Sequence, residues 1–187
     1  MIKRLFDIAA SLAALLVLAI PMLAIAAAVR LSSPGPAIHW SRRVGRGNSI
    51  FLMPKFRTMR TGMPQLPTHL VENPEQWLTP IGALLRRTSL DELPQLWSVL
   101  TGKMSIVGPR PALFNQDNLI AMRTERGVHR FRPGLTGLAQ ISGRDELSIP
   151  TKVQFDAAYC DNISFLGDLR IIGQTVVHAV KGSGIRH

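Results

Sequence analysis

From Ile8 to Val29 the chain runs 22 residues without a charge, interrupted only by Ser11 and Pro21. At about 1.5 Å of rise per residue, a helix of that length reaches across the hydrocarbon core of a bilayer, and it exceeds the usual apolar run of a buried core helix. Pro21 has no amide hydrogen and its ring crowds the preceding turn, so a kink or break is expected near Ile20. Lys3 and Arg4 precede the run and Arg30 follows it. With cations at both ends, the positive-inside rule gives no direction of insertion. A straight span and a hairpin with both ends on one face both fit. A secretory signal is a third reading, because Ala24-Ile25-Ala26 has the small-residue pattern of a cleavage site; a mature protein shorter by about 26 residues would select it.

The remainder is of another character. All but three of the 22 basic residues and all but one of the 12 acids lie beyond residue 30. The whole chain of 187 residues has a net charge of +10, which suits nucleic acid, an anionic membrane surface or a phosphorylated substrate. The length allows one compact domain, and the single cysteine excludes an internal disulfide framework. Residues 1–31 therefore read as a membrane segment and 32–187 as a membrane-associated globular domain. Ser32-Ser33-Pro34-Gly35-Pro36 marks the turn between them.

Within the second part, residues 37–59 read as a β-hairpin turning at Gly45-Arg46-Gly47-Asn48. Residues 60–80, with four prolines, read as a loop with a helical turn near Pro74 to Leu78. Helices are expected over 81–87, 91–101, 112–126, 150–160 and 164–181, the last capped by Ser164 and closed by Gly182. Along that last helix Leu166, Leu169, Ile172, Val176, Val177 and Val180 share an apolar face, which packing or a membrane interface would cover, packing being the commoner outcome. The expected fold class is α+β, helix-rich, with a minor sheet.

The segment from Arg86 to Pro111 concentrates the chemistry. Asp91 and Glu92 open a helix, because Pro94 is harmless only near a helix start. Asp91 as an N-cap, or Ser89-x-x-Glu92 as a capping box, explains the pair without function. The surrounding cations shift the balance. Arg86 and Arg87 precede the pair, and Arg110 stands between Pro109 and Pro111 on a stiff extended loop. Lys55 and Arg57 lie two apart on an extended segment and so share a face. Arg130, Arg132 and Arg144 flank a Gly-rich connection. Such a set fits a di- or polyphosphate with a metal ion.

Other chemistries find little support. The five histidines lack metal-ligand spacing and no second cysteine completes a zinc site. Gly45-Arg46-Gly47 lacks the third glycine of a dinucleotide fingerprint, and no Walker lysine pattern occurs. Trp40, Trp77 and Trp97 are too dispersed for a base-stacking platform, so nucleic acid is not the expected partner.

Lys55-Phe56-Arg57-Thr58-Met59, Thr88-Ser89-Leu90-Asp91-Glu92-Leu93-Pro94-Gln95-Leu96, Val107-Gly108-Pro109-Arg110-Pro111 and Arg132-Pro133-Gly134-Leu135-Thr136-Gly137-Leu138-Ala139-Gln140 with Gly143-Arg144 resemble, in order, the motifs of the bacterial sugar transferase family. The likeness is strongest to its small monotopic polyprenyl-phosphate phosphoglycosyl transferases. The resemblance implies transfer of a sugar 1-phosphate from a UDP-sugar to polyprenyl phosphate, usually undecaprenyl phosphate, with release of UMP. It implies a re-entrant N-terminal helix broken at Pro21, both ends on the cytoplasmic face of the bacterial inner membrane, and amphipathic interfacial helices beyond it.

It further implies Asp91 as nucleophile, Mg²⁺ held at Asp91 and Glu92, and Glu92 as metal ligand or proton acceptor. Lys55, Arg57, Arg86 and Arg110 are the expected phosphate contacts, joined by Gln140, Arg144 and Asp156. A homodimer is an admissible assembly. The chain departs from the usual pattern at Lys103, where relatives often carry an acid, at Leu138, often Trp, and at Ser142, often Asn. None of these touches the Asp-Glu pair. A non-catalytic basic adaptor on anionic lipid is the alternative function, and a nucleic-acid binder ranks last.

Overall fold

Pro21 cannot donate to the carbonyl of Val17, and the first helix ends there: α1 spans Ile2–Val17 and α2 spans Ala19–Ser32, joined at Leu18. The break thus falls three residues before the proline rather than beside it, because the missing bond is the one reaching back four residues. The two axes diverge by 63°. The structure, a computed structural model, describes residues 2–63, 73–143 and 146–181. Among them no single helix is long and apolar enough to cross a membrane, while the bent pair together has that apolar length.

α1 is inverted relative to a surface helix of a soluble protein. Asp7 is 2% exposed and Ser11 0%, whereas Ile2, Leu5 and Leu16 are 75%, 70% and 71% exposed. Its polar side faces the rest of the chain and its apolar side faces outward.

Beyond α2, β1 (Ile38–Val44) and β2 (Ile50–Phe56) form the expected hairpin, antiparallel, with His39 opposite Lys55 and Arg43 opposite Phe51. Its turn is a 3-10 segment, Arg46–Asn48, in which Gly47 and Asn48 take positive φ. After a 3-10 turn at Pro74–Trp77 comes α3 (Gly82–Arg87). The helix expected over 91–101 is two pieces, a 3-10 turn at Leu90–Glu92 and α4 (Gln95–Leu100), with Pro94 as the latter's N-cap. Ser89 makes no side-chain cap bond and sits in the left-handed region, so the capping-box explanation of Ser89 and Glu92 does not describe this turn.

β3 (Ser105–Val107) pairs in parallel with β4 (Gly134–Thr136), a second small sheet inside what reads from sequence as turn-rich connection. The helix expected from residue 112 begins later, as α5 (Asp117–Glu125). The intervening chain runs beside β1 instead: the Val44 amide donates to the Ala112 carbonyl at 3.0 Å, and Arg43 and Leu113 form an isolated bridge. α6 (Leu138–Ile141), α7 (Ile149–Asp161) and α8 (Phe165–Lys181) follow among the described residues. Ser164 accepts from the Gly167 amide at 3.1 Å, as a cap should; Gly182 lies outside the described residues.

Among the described residues, four apolar clusters hold these elements. Val29 of α2, Phe56 and Leu85 join the helix pair to β2 and α3. Phe51, Met53, Val99 and Met104 pack β2 on α4. Val107, Val128, Tyr159, Cys160 and Ile171 join β3 to α7 and α8, and Ala112, Leu119 and Val153 join α5 to α7. Burial leaves the Cys160 thiol pushed up to about 12, an unreactive packing residue. On α8 Asp168 and Ile171 face inward and Ile172 packs partly against the same cluster, while Leu166, Leu169, Val176 and Val177 are exposed; four residues of the expected apolar face are not covered by packing, and the Val180 side chain lies outside those described.

Candidate active site

Three backbone segments converge on Glu92. Lys55, near the end of β2, places Nζ 2.7 Å from Oε1 of Glu92 and 3.8 Å from Oδ2 of Asp91. Arg110, on the loop that leaves β3, places Nη2 2.7 Å from the same Oε1. Asp91 and Glu92 share the tight turn between α3 and α4. The loop carrying Arg110 is held close to β4 because glycines meet there: the Gly108 amide donates to the Thr136 carbonyl and the Gly134 amide to the Pro109 carbonyl, each at 2.8 Å. A Cβ on Gly134 would stand 2.1 Å from the Gly108 nitrogen, so the Gly-Pro-Arg-Pro segment owes its place to this close approach.

The two carboxylates are driven in opposite directions. Burial pushes the Asp91 carboxyl above the usual carboxylate range; Lys55 opposes this, the neighbouring Glu92 charge adds to it, and Arg110 and Arg86 oppose it more weakly. Burial also pushes Glu92 up, but Arg110 and Lys55 outweigh it and hold Glu92 well below that range. Glu92 is therefore a fixed anion, and Asp91 is the carboxylate whose charge is least compensated. Two acids in one turn with separated proton affinities are a common mark of divided roles.

Arg86, on α3, has Nε 3.1 Å from Oγ1 of Thr58 and adds positive potential at Asp91. Arg43 was not anticipated from sequence. Its guanidinium is lowered to about 10, by burial first and then by Arg110, with Glu92 opposing; its Nη1 donates to the Pro111 carbonyl at 3.1 Å. Strand alternation could have found it, since His39, Ser41 and Arg43 share the face of β1 whose register places His39 across from Lys55. Burial, then Arg43 and Lys55, hold His39 below its ordinary range.

The remaining candidates lie elsewhere. Arg57 is 4% exposed and donates to the carbonyls of Pro34, Ser33 (2.8 Å) and Gly35 (3.4 Å). β2 ends at Phe56, so the alternation that pairs Lys55 with Arg57 no longer applies beyond it. Asp156 forms a buried pair with Arg123 (Nη2 to Oδ2, 2.6 Å), and Arg123 Nη1 donates to the Arg110 carbonyl at 2.7 Å. It thus supports the site from behind. Gln140 donates to the Leu135 carbonyl at 2.9 Å. Arg144 lies outside the described residues. Leu138 and Ser142 line a cleft of about 460 Å³ between α6, α7 and α8, apart from the carboxylate pair.

No group of three or more potential ligands that could hold a metal occurs among the described residues. The Asp91-Glu92 pair nevertheless has the donor chemistry for a hard divalent cation that takes one or two carboxylates and completes its shell with phosphate and water. Lys55, Arg86 and Arg110 act on the two carboxylates, and Arg43 lies close enough to feel the charges of Glu92 and Arg110. The turn is thus set among cations, a setting that favours a phosphorylated ligand.

Residues 1–182 match the family described as bacterial sugar transferase. The exopolysaccharide production protein ExoY of Rhizobium meliloti (strain 1021) is 41% identical over 192 residues, covering 94% of this chain and 84% of that protein. The uncharacterized sugar transferase EpsL of Bacillus subtilis (strain 168) is 39% identical over 185 residues, covering 99% and 90%. The undecaprenyl-phosphate galactose phosphotransferase of Salmonella typhimurium (strain LT2) is 34% identical over 199 residues, which cover 98% of this chain and 41% of that protein. Agreement of this extent, running through every segment that meets at Glu92, establishes that the chain belongs to the bacterial sugar transferase family.

Proposed function

We propose that this chain transfers a sugar 1-phosphate from a UDP-sugar to polyprenyl phosphate, releasing UMP, at the cytoplasmic face of the bacterial inner membrane. The product would be the first lipid-linked intermediate of an exopolysaccharide or related surface glycan. One observation carries the reading: a nearly buried Asp91 carboxylate, raised in basicity, beside a Glu92 whose charge is fixed by Lys55 and Arg110. The names of relatives, one an undecaprenyl-phosphate galactose phosphotransferase and another a UDP-galactose-lipid carrier transferase, support the substrate classes.

In the first step an Asp91 oxygen attacks the phosphorus bearing the sugar. The new O–P bond forms as the bridging bond to the uridine phosphate breaks, and UMP leaves with that oxygen and the electron pair. In the second step a phosphate oxygen of the lipid attacks the same phosphorus and the Asp91 carboxylate is expelled. Two displacements let one site handle a water-soluble donor and a membrane acceptor in turn. Arg110, Lys55 and Arg86 hold the phosphate oxygens and meet the charge that gathers on the leaving group. Asp91 and Glu92 would hold Mg²⁺, which when bound neutralises phosphate charge.

The outward apolar side of α1, the bent pair and the uncovered face of α8 support embedding in one leaflet, with the helix pair re-entrant at Pro21. The test is UMP release from a panel of UDP-sugars with polyprenyl phosphate and Mg²⁺. Asp91→Asn should lower it on the order of a thousandfold or more. Near-normal turnover in that variant excludes Asp91 as the nucleophile, and no release from any donor by the wild type overturns the reaction class.

A further inference from the structure

The bent helix pair is tied to the globular part by polar contacts at both ends, and one tie at each end lands on a segment that carries a site residue. At the α1 end, Asp7 accepts from the Ser105 hydroxyl at 2.9 Å and from the Ile106 amide at 3.1 Å. Lys3 Nζ lies 2.6 Å from Oδ2 of Asp168, and the Tyr159 hydroxyl lies 2.8 Å from the other oxygen of that carboxylate and 3.0 Å from the Val107 carbonyl. Arg4 donates to the carbonyls of Val99 and Leu100 at 2.6 and 2.8 Å, closing the C-terminal end of α4. All three residues of β3 are thus gripped by α1 directly or through Asp168 and Tyr159, and Arg110 follows three residues later.

At the α2 end the grip runs the other way. Arg57 reaches back from the end of β2 into the carbonyls of residues 33–35, and its own amide donates to the Ala37 carbonyl at 2.8 Å. Lys55 is two residues before it. A buried guanidinium or carboxylate has few alternative partners, and leaving one unpaired is costly, so these ties fix a geometry rather than permit a range.

We propose that Asp7 and Arg57 are positioning residues that make the bent helix pair a working part of the site. Asp7 fixes the segment that delivers Arg110 to Glu92, and Arg57 fixes the segment that delivers Lys55. Because both cations meet on one oxygen of Glu92, a shift of either segment by about an ångström misplaces the charge offered to the transferring phosphoryl group, a scale of error that costs on the order of a hundredfold in rate. The positioning claim rests on the phosphoryl-transfer reading above; the ties themselves do not.

The experiment uses the full chain in lipid nanodiscs. Asp7→Asn and Arg57→Lys are compared with Ser11→Ala, a buried residue of α1 whose hydroxyl bonds only within its own helix. Steady-state UMP release is measured alongside backbone hydrogen exchange without substrate. Asp7→Asn and Arg57→Lys are expected to lower kcat by about tenfold or more with KM for the UDP-sugar changed less, since the transition state is the more demanding of geometry. Asp7→Asn speeds exchange across 105–110, and Ser11→Ala behaves as wild type. Should Asp7→Asn fail to fold, Ser105→Ala removes one donor to the same carboxylate from the other side and is expected to give the same pattern at smaller size. Equal losses in Asp7→Asn and Ser11→Ala, or a rise in KM with kcat retained in Arg57→Lys, would overturn the proposal, the latter marking Arg57 as a direct phosphate contact. If the wild type releases no UMP, the reaction assignment fails, while the exchange pattern still reads whether Asp7 holds the 105–110 segment.

Discussion

Lys55 Nζ and Oε1 of Glu92 are 2.7 Å apart, and the same Nζ stands 3.8 Å from Oδ2 of Asp91, so that lysine bridges both acids of the site. Burial holds the Lys55 ammonium below its ordinary range; Glu92 opposes this and Arg110 adds to it. Lys55 and Arg110 together keep Glu92 charged in a largely buried setting. What remains least compensated is Asp91, the group proposed to attack.

Lys55→Met should move the acid limb of the pH profile of kcat/KM to higher pH. Asp91 already stands above the ordinary carboxylate range, and Lys55 is the strongest of the charges opposing that shift. Only the ionised form attacks, so activity appears as pH rises through its raised value; removing Lys55 raises that value further. Activity at pH 7 is expected to fall by roughly a hundredfold, since a phosphate contact is lost as well. An unmoved acid limb would separate Lys55 from the ionisation of Asp91.

Glu92 makes an opposite and separable contribution to stability. Its folded-state value is depressed, so the stability it contributes is present above the unfolded value of about 4.3 and is lost as pH falls below it. Asp91 and Asp156 are raised, so they gain a proton in the folded state first and add stability as pH falls. Glu92→Gln should lower Tm at pH 7 and flatten its decline between pH 5 and 3. Parallel Tm curves for wild type and variant would contradict the ion-pair assignment.

How much of this was legible in the sequence depended on how local each cause is. The helix break was readable because one proline removes one bond, though the bond lost lies four residues back, at Val17. The sequence singled out the Asp91-Glu92 pair and the proline-flanked Arg110, but it read the pair as the start of one helix over 91–101, where the structure has a 3-10 turn followed by α4. Arg57 was not readable, because strand alternation holds only inside the ladder, and β2 ends one residue earlier. Arg123 carried no local signal at all: its role depends on Asp156, 33 residues on. The parallel β3–β4 pair is three residues per strand, too short for alternation to register, and its glycines read as turn residues when their function is close approach.

Asp156 supplies a test of support against contact. It is 1% exposed and paired with Arg123, which in turn holds the Arg110 carbonyl. Asp156→Asn strands a buried guanidinium and should cost about 3–5 kcal/mol, whereas Arg123→Met with Asp156→Leu replaces the pair by apolar groups and should recover most of that. The double variant should keep measurable turnover, lowered through Arg110. Complete loss of activity in a stably folded double variant, with KM for the donor sharply raised, would instead make Asp156 a direct contact.

Gly134→Ala addresses the loop itself. The added carbon would stand 2.1 Å from the Gly108 nitrogen, 2.4 Å from the Thr136 carbonyl oxygen and 2.5 Å from the Gly108 carbonyl oxygen. All three are backbone atoms, so no side chain can swing aside and β4 must move off β3. The cost should reach or pass the top of the ~1–3 kcal/mol usual for overpacking. Because the Gly134 amide holds the Pro109 carbonyl, the displacement passes to Arg110, and kcat/KM should fall together with Tm. Gly127→Ala provides the contrast. Gly127 has φ +72° with nothing within 4 Å of an added carbon, so that substitution costs about 1 kcal/mol through backbone strain. Its activity per folded molecule should match the wild type. Thermal unfolding and steady-state UMP release on the same preparations check both; a Gly134→Ala enzyme that loses stability but keeps full kcat/KM would show that Arg110 is held without the glycine contact.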